Sequence, residues 1–270
     1  MYTLFTHKGL NDKVPFELTS TIKKYIIKAK PEIIIVSPGY LSTNDKTTKN
    51  FLKRLLKKWY KQKHFKAIGI TAGMNGVNSS NSPINLGYYW SSLSPHNVTI
   101  IEFKKNGGFK INKDHKKMVF FGEVLDKESM PKDVDIKNLD DFIKNIKITA
   151  AATGSSNFSK TTYLGNNSNI ADKGEADIFM YTKKSGSNNK FHAYLLKKLK
   201  TENRIGTPNE IRGDISQEER NEEQNPPILS KSIQIGKYSS SITKRLNKPL
   251  STDEQYLTAM LYKTLKDQLK

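Results

Sequence analysis

Apolar positions along the chain fall into two alternating periods. In LTSTIKKYIIKAK (18–30), Ile22, Tyr25 and Ile26 recur at helical spacing, and EIIIVSPGY (32–40) follows as a β-branched run closed by Pro-Gly, the pattern of a buried strand. Residues 46–66 place Phe51, Leu52, Leu55, Leu56 and Trp59 on one stripe of a second helix. FKAIGITAGMN (65–75) and NVTIIEF (97–103) predict two more strands, separated by a polar loop ending in LGYYWSS. DHKKMVFF (114–121) opens polar and closes on four apolar residues, again a strand, and a charged segment (122–147) with a helix at NLDDFIKNIK comes next. The apolar run ITAAATGSSNFS, a strand at GEADIFMYT (174–182) and a helix at NNKFHAYLLKKLK (188–200) complete the series. Strands alternating with helices predict an α/β fold, a mixed sheet flanked by helices.

The pattern changes after residue 200. Residues 202–225 hold seven acids and three arginines with little that is apolar, so 201–227 reads as an acidic linker or surface excursion. ILSKSIQIG could form a strand, and STDEQYLTAMLYKTLKDQLK a helix. In that helix Ser251 and Glu254 have capping-box spacing, and Leu257, Met260, Leu261, Leu265 and Leu269 form a stripe. Residues 228–270 are too few for an independent domain; they form a C-terminal extension expected to pack on residues 1–200 or on another subunit, as a recognition or dimerisation element.

Composition narrows the chemistry. With 270 residues, 36% apolar, twelve Phe and twelve Tyr, the chain can bury a core. It has no cysteine, which excludes disulfides, thiolate metal sites and a cysteine nucleophile, and suggests an intracellular protein. MYTLFTHKGLNDK lacks a signal-peptide pattern and no apolar run is long enough to span a bilayer, so a soluble, cytoplasmic protein with no membrane partner is expected.

Charge adds a partner class. The formal net charge is +19, from 45 Lys plus Arg against 26 Asp plus Glu. A field of that sign favours a polyanion, nucleic acid ahead of a membrane surface; a lysine-rich background is the other source. Residues 46–66 carry nine Lys or Arg and no acid, giving the helix a basic outer face that either contacts phosphates or is simply solvated. Lys53, Lys57 and Lys61 there, with Lys160, are the candidate DNA contacts. Tyr88, Tyr89 and Trp90 could stack on bases or pack their own loop down.

The candidate chemistry lies at strand ends. Side chains alternate faces along a strand, so His115 and Lys117 share one side, as do Ser155 and Asn157 of GSSN (154–157). A cation and neutral donors around an imidazole can stabilise charge spread over phosphoryl oxygens. Histidine can itself attack phosphorus, and a second can protonate the departing oxygen, so the set suits phosphodiester chemistry without a metal or other cofactor. His7, His64, His96 and His192 have no ligand spacing and are expected to be structural.

His115-x-Lys117 before an apolar strand, then Gly154-Ser155-Ser156-Asn157, then an acid opening a strand at Glu175-Ala-Asp-Ile-Phe, resembles the phospholipase D superfamily over roughly residues 18–200. It is most similar to the small nuclease branch with one motif per chain, which includes type II restriction endonucleases. The resemblance implies a phospholipase D-like catalytic domain over 1–200, with His115 the nucleophile that forms a phosphohistidine. It further implies that Lys117 and Asn157 bind phosphate oxygens, Ser155 assists, and Glu175, or else Asp172 or Asp177, orients an imidazole. Because that family builds one site from two motif copies, it implies a homodimer on double-stranded DNA. Where the family carries an aspartate five residues after the lysine, this chain has Gly122. The functions that follow are a restriction endonuclease, a nonspecific nuclease of the same chemistry, or a DNA-binding module without catalysis, with a lipid-hydrolysing enzyme last.

Overall fold

The computed structural model describes residues 1–8, 18–39, 54–71, 97–104, 116–155, 175–182, 186, 188–201 and 250–269. They form an α/β fold built on one eight-stranded mixed sheet. Its strands are β1 (Tyr2–Lys8), β2 (Ile33–Pro38), β3 (Ala67–Ile70), β4 (Thr99–Phe103), β5 (Lys117–Val124), β6 (Asp133–Val134), β7 (Ile146–Gly154) and β8 (Glu175–Tyr181). Their order across the sheet is β1-β8-β7-β5-β2-β3-β4-β6. Pairing is parallel from β2 through β3 and β4 to β6, and antiparallel between β2, β5, β7, β8 and β1. The helices are α1 (Leu18–Ala29), α2 (Leu139–Lys144), α3 (Asn188–Thr201) and α4 (Thr252–Leu269), with a further helical stretch at 54–60.

Both faces of the sheet are covered, which is why β2 can be an unbroken apolar run with every residue buried. One core holds Ile34, Val36, Val119, Phe121, Ala150 and Phe179 from the sheet. It is closed by α1 (Ile22, Tyr25, Ile26), the 54–60 stretch (Leu55, Leu56, Trp59) and α3 (Phe191, Leu195). The other holds Ile33, Ile35, Phe120 and Ile148, covered by α2 (Leu139, Phe142, Ile143) and by the Leu257, Leu261, Leu265 and Leu269 stripe of α4. The extension thus supplies part of the second core, and α4 packs against β7. Its capping box forms as expected: the Glu254 carboxylate accepts the Ser251 N–H at 2.8 Å and Ser251 Oγ accepts the Glu254 N–H at 3.4 Å. The segment ILSKSIQIG and the acidic stretch 202–225 lie outside the described residues.

Local chemistry fixes the element ends. Lys30, just past α1, takes φ 53° and returns its N–H to the Ile26 carbonyl, a left-handed C-terminal cap that Pro31 makes final. The Pro31 carbonyl then accepts the buried Trp59 indole N–H at 2.7 Å, tying the 54–60 stretch to the α1–β2 turn. In β3, a Cβ on Gly69 would meet the Phe103 ring at 2.4 Å, so glycine lets that ring lie against the strand. One strand went unforeseen: β1 is an edge strand paired to β8 from Tyr2↔Tyr181 to Lys8↔Glu175.

Buried polar groups join the first core. Tyr25 Oη donates to Asn188 Oδ1 at 2.7 Å and lies 2.9 Å from Thr149 Oγ1. Asn188 Nδ2 donates to the carbonyls of Thr182 (2.8 Å) and Thr149 (3.1 Å). Thr149 is the extra residue of a bulge where β5–β7 pairing shifts between Phe121 and Gly122. The network links α1, β7, β8 and α3, and burial pushes the Tyr25 phenol well above its ordinary value.

Candidate functional site

Strand direction decides what can meet. Only β5 and β8 run against the other six strands, so the C-terminal ends of β1, β2 and β7 and the N-terminal ends of β5 and β8 lie at one end of the sheet. There Lys117 opens β5, Gly154 closes β7 with Ser155 in the bend that follows, and Glu175 opens β8. Three motif positions far apart in sequence thus sit on three adjacent strands at one sheet end.

Register sharpens the arrangement. Lys117 pairs with Pro38 on β2, Gly154 with Asp177 on β8, and Asp177 with Thr6 on β1. Since Met118 pairs with Thr153, one step back aligns Lys117 with Gly154, and a single row crosses the sheet through Lys117, Gly154 and Asp177. Cross-strand neighbours share a face, and two residues further along this row's side come Val119, Ala152 and Phe179 of the first core. Lys117 and Asp177 therefore stand on that face about 10 Å apart, two strand spacings, with Gly154 between them contributing no side chain. Asp177 is 4% exposed and Lys117 partly exposed.

Other expected residues fall elsewhere. His115, Asn157, Asp172, Lys53 and Lys160 lie outside the described residues. β5 begins at Lys117 and β7 ends at Gly154, so of the pairs His115 with Lys117 and Ser155 with Asn157 only Lys117 and Ser155 lie among the described residues. Glu175 is placed by its backbone, opposite Lys8 and two residues nearer the sheet end than Asp177. Lys57 and Lys61 are exposed on the 54–60 stretch and just after it. His64 and His192 are both engaged: a His64 ring nitrogen lies 3.1 Å from the Pro31 carbonyl, and His192 Nδ1 lies 2.7 Å from Tyr181 Oη.

Sequence reading missed what holds this end from behind. The last turn of α4 lies against residues 116–118: Gln268 Nε2 donates to Ser37 Oγ at 2.7 Å, and Ser37 Oγ donates to the Lys116 carbonyl at 3.0 Å. Lys116 Nζ pairs with Asp267 at 2.7 Å, and Thr264 Oγ1 lies 3.3 Å from the Met118 sulfur. The leucine stripe announced a packed helix, but nothing local in the sequence says which strand opening it reaches.

Gly122 also has a structural cause. A Cβ there would stand 2.4 Å from the Lys147 carbonyl oxygen, so no side chain fits beside the bulge. It pairs with Ile33, about 16 Å along β5 from Lys117, far from the convergent strand ends.

A cleft of about 440 Å3 opens near the opposite end of β5, lined in part by Asp126, Ser129, Asn138, Asp141, Lys144 and Asn145. Its polar groups serve their own turns. The Asp126 carboxylate accepts from the Ser129 hydroxyl and from the N–H groups of Glu128 and Ser129, Asn145 Oδ1 accepts the Asp126 N–H at 2.7 Å, and Lys144 pairs with Asp141 at 3.1 Å. The polar groups of the cleft thus hold their own turns, and Lys117, Ser155 and Asp177 lie at the other end of the sheet. Among the described residues no three His, Asp or Glu side chains group as metal ligands, and no helix is long and apolar enough to cross a membrane. Comparison with models of known protein families and with curated proteins gives no match.

Proposed function

We propose that this chain is a metal-independent DNA phosphodiesterase of the phospholipase D type, acting as a type II restriction endonuclease. The observation that carries the reading is the meeting of Lys117, Gly154-Ser155 and Glu175 at one end of adjacent strands β5, β7 and β8. A His-x-Lys, Gly-Ser-x-Asn and acid triple serves a single phosphate only if its strands are neighbours and its ends coincide. Both conditions hold.

In this mechanism an imidazole nitrogen of His115 attacks phosphorus, and the bond from phosphorus to the leaving oxygen breaks. That oxygen takes its proton from His115 of a second subunit. Water then attacks the phosphohistidine, giving its proton to the second subunit's now neutral imidazole, the P–N bond breaks, and both imidazoles are restored. Lys117 and Asn157 oppose the charge growing on the non-bridging oxygens, Ser155 assists, and Glu175, or Asp177 in the row beside Lys117, holds the imidazole. The homodimer follows from one motif copy per chain.

Gly122 in place of the family's aspartate favours a DNA-binding module without catalysis, but its distance from Lys117 weakens that reading. The test is incubation of purified protein with phage or plasmid DNA in EDTA, beside His115→Ala. Discrete fragments from the wild type alone are expected. A smear would mean a nonspecific nuclease, and a gel shift without cleavage a binding module. Activity that disappears on chelation and returns with magnesium would place the chemistry in another class.

A further inference from the structure

The two helical layers carry opposite charge. Over the first core, α1, the 54–60 stretch and α3 hold ten Lys or Arg and no Asp or Glu. Over the second, α2 and α4 hold three Lys and five Asp or Glu. A lysine-rich background would enrich both layers alike. Among the described helices this excess is confined to one side.

Where the basic residues point strengthens the contrast. Lys24, Arg54, Lys57, Lys58, Lys190 and Lys197 are exposed while the apolar stripes of the same helices are buried. Arg54, Lys57, Lys58 and Lys190 take part in none of the ion pairs formed among the described residues, whereas on the other layer Lys144 pairs with Asp141 and Asp267 binds Lys116. Like charges on neighbouring helices repel, and no Asp or Glu within these helices offsets them. That cost is recovered when a polyanion neutralises the layer and its counterions are released.

We infer that the outer surface of the α1, 54–60 and α3 layer is the DNA-docking face, with the duplex lying across it on the side of the sheet where Lys117 and Asp177 stand. Three helices side by side at ~9 Å spacing make a surface roughly 25 Å wide. A duplex presents one phosphate charge per ~1.7 Å of axis, so that width spans about fifteen phosphates, of which those turned toward the protein can contact the layer. The contacts fix position rather than sequence. The inference deepens the nuclease reading and rests on it for the identity of the polyanion as double-stranded DNA.

The experiment compares two charge-reversal variants with wild type: Lys57→Glu/Lys58→Glu/Lys190→Glu on the basic layer and Lys263→Glu/Lys266→Glu on α4. Affinity for a fluorescein-labelled duplex is followed by anisotropy in EDTA from 50 to 300 mM salt, with circular dichroism as the fold check. The basic-layer variant is expected to bind at least tenfold more weakly at 100 mM salt, and the slope of log K against log salt to fall by about 2–3, near 0.9 per lost contact. The α4 variant should keep the wild-type slope. Equal losses in both variants, or none in either, overturn the docking face while leaving the nuclease reading intact. Wild type that binds anionic vesicles or single-stranded RNA but no duplex overturns both. Cleavage without dependence on the basic layer overturns the face alone.

Discussion

Gln268 donates a 2.7 Å hydrogen bond to Ser37, joining the last turn of α4 to the end of β2. Ser37 passes the contact on to the Lys116 carbonyl, so the backbone just before Lys117 is held by a helix that follows it by more than 130 residues in sequence. The role this gives Gln268 is positional. On the proposed nuclease reading, Gln268→Leu is expected to lower kcat for DNA cleavage about ten- to a hundredfold with KM unchanged, the loss typical of misplacing a reacting group by a fraction of an ångström to an ångström. Gln268→Glu, which removes the donor to Ser37 and competes with the Lys116 carbonyl for the one Ser37 proton, should lose as much. A rise in KM at constant kcat would contradict the assignment.

Placing an aspartate at position 122, as the resemblance to the phospholipase D superfamily would have it, should harm the protein. The carbonyl of Lys147 occupies the space, and a carboxylate there would also be buried beside an acceptor. Gly122→Asp is expected to cost about 2–4 kcal/mol, a melting temperature lower by roughly 5–15 °C in differential scanning calorimetry, with no gain in activity.

Tyr25→Phe tests the buried network of the first core. It removes the donor to Asn188 Oδ1 and leaves that acceptor buried. A loss of about 1–2 kcal/mol in urea unfolding, with an unchanged m-value, is expected. An unchanged midpoint would mean the network is not maintained in solution.

His64 gives stability a pH dependence. Burial holds its pKa below the ordinary histidine value, and the Pro31 carbonyl offsets this only in part. The folded state therefore disfavours protonation, so the stability tied to His64 is complete above the unfolded value of about 6.5 and is lost as pH falls below it. Melting temperature should drop between pH 7 and pH 5, and His64→Gln should flatten part of that drop. The ring is partly exposed, so the effect is modest.

Much of the fold was legible because its helices and inner strands carry clean periods. The Ile33–Val36 run announced β2, and the Leu257 to Leu269 stripe announced α4. β1 escaped because its inward positions are Tyr2, Leu4 and Thr6, of which only leucine counts as plainly apolar, and its buried Thr6 looks polar in a sequence. The site was half legible. Strand-end motifs can be read locally, but the row through Lys117, Gly154 and Asp177 depends on pairing register between distant segments, and the Gln268–Ser37 contact on where a remote helix lands. Gly122 read as a missing acid; only the bulge beside it explains the glycine.

The position of α4 in the chain also sets an order of assembly. All eight strands are synthesised before it, and residues 202–249 come between. Until α4 arrives, the sheet face of Ile33, Ile35, Phe120 and Ile148 lacks the leucine stripe that packs on it beside α2. Closing that face needs contacts of high sequence separation, the slow kind in folding. A nascent chain at that stage would thus present a sticky surface for chaperones, and the Lys116–Met118 segment would gain the support of α4 only after the eight strands have been made.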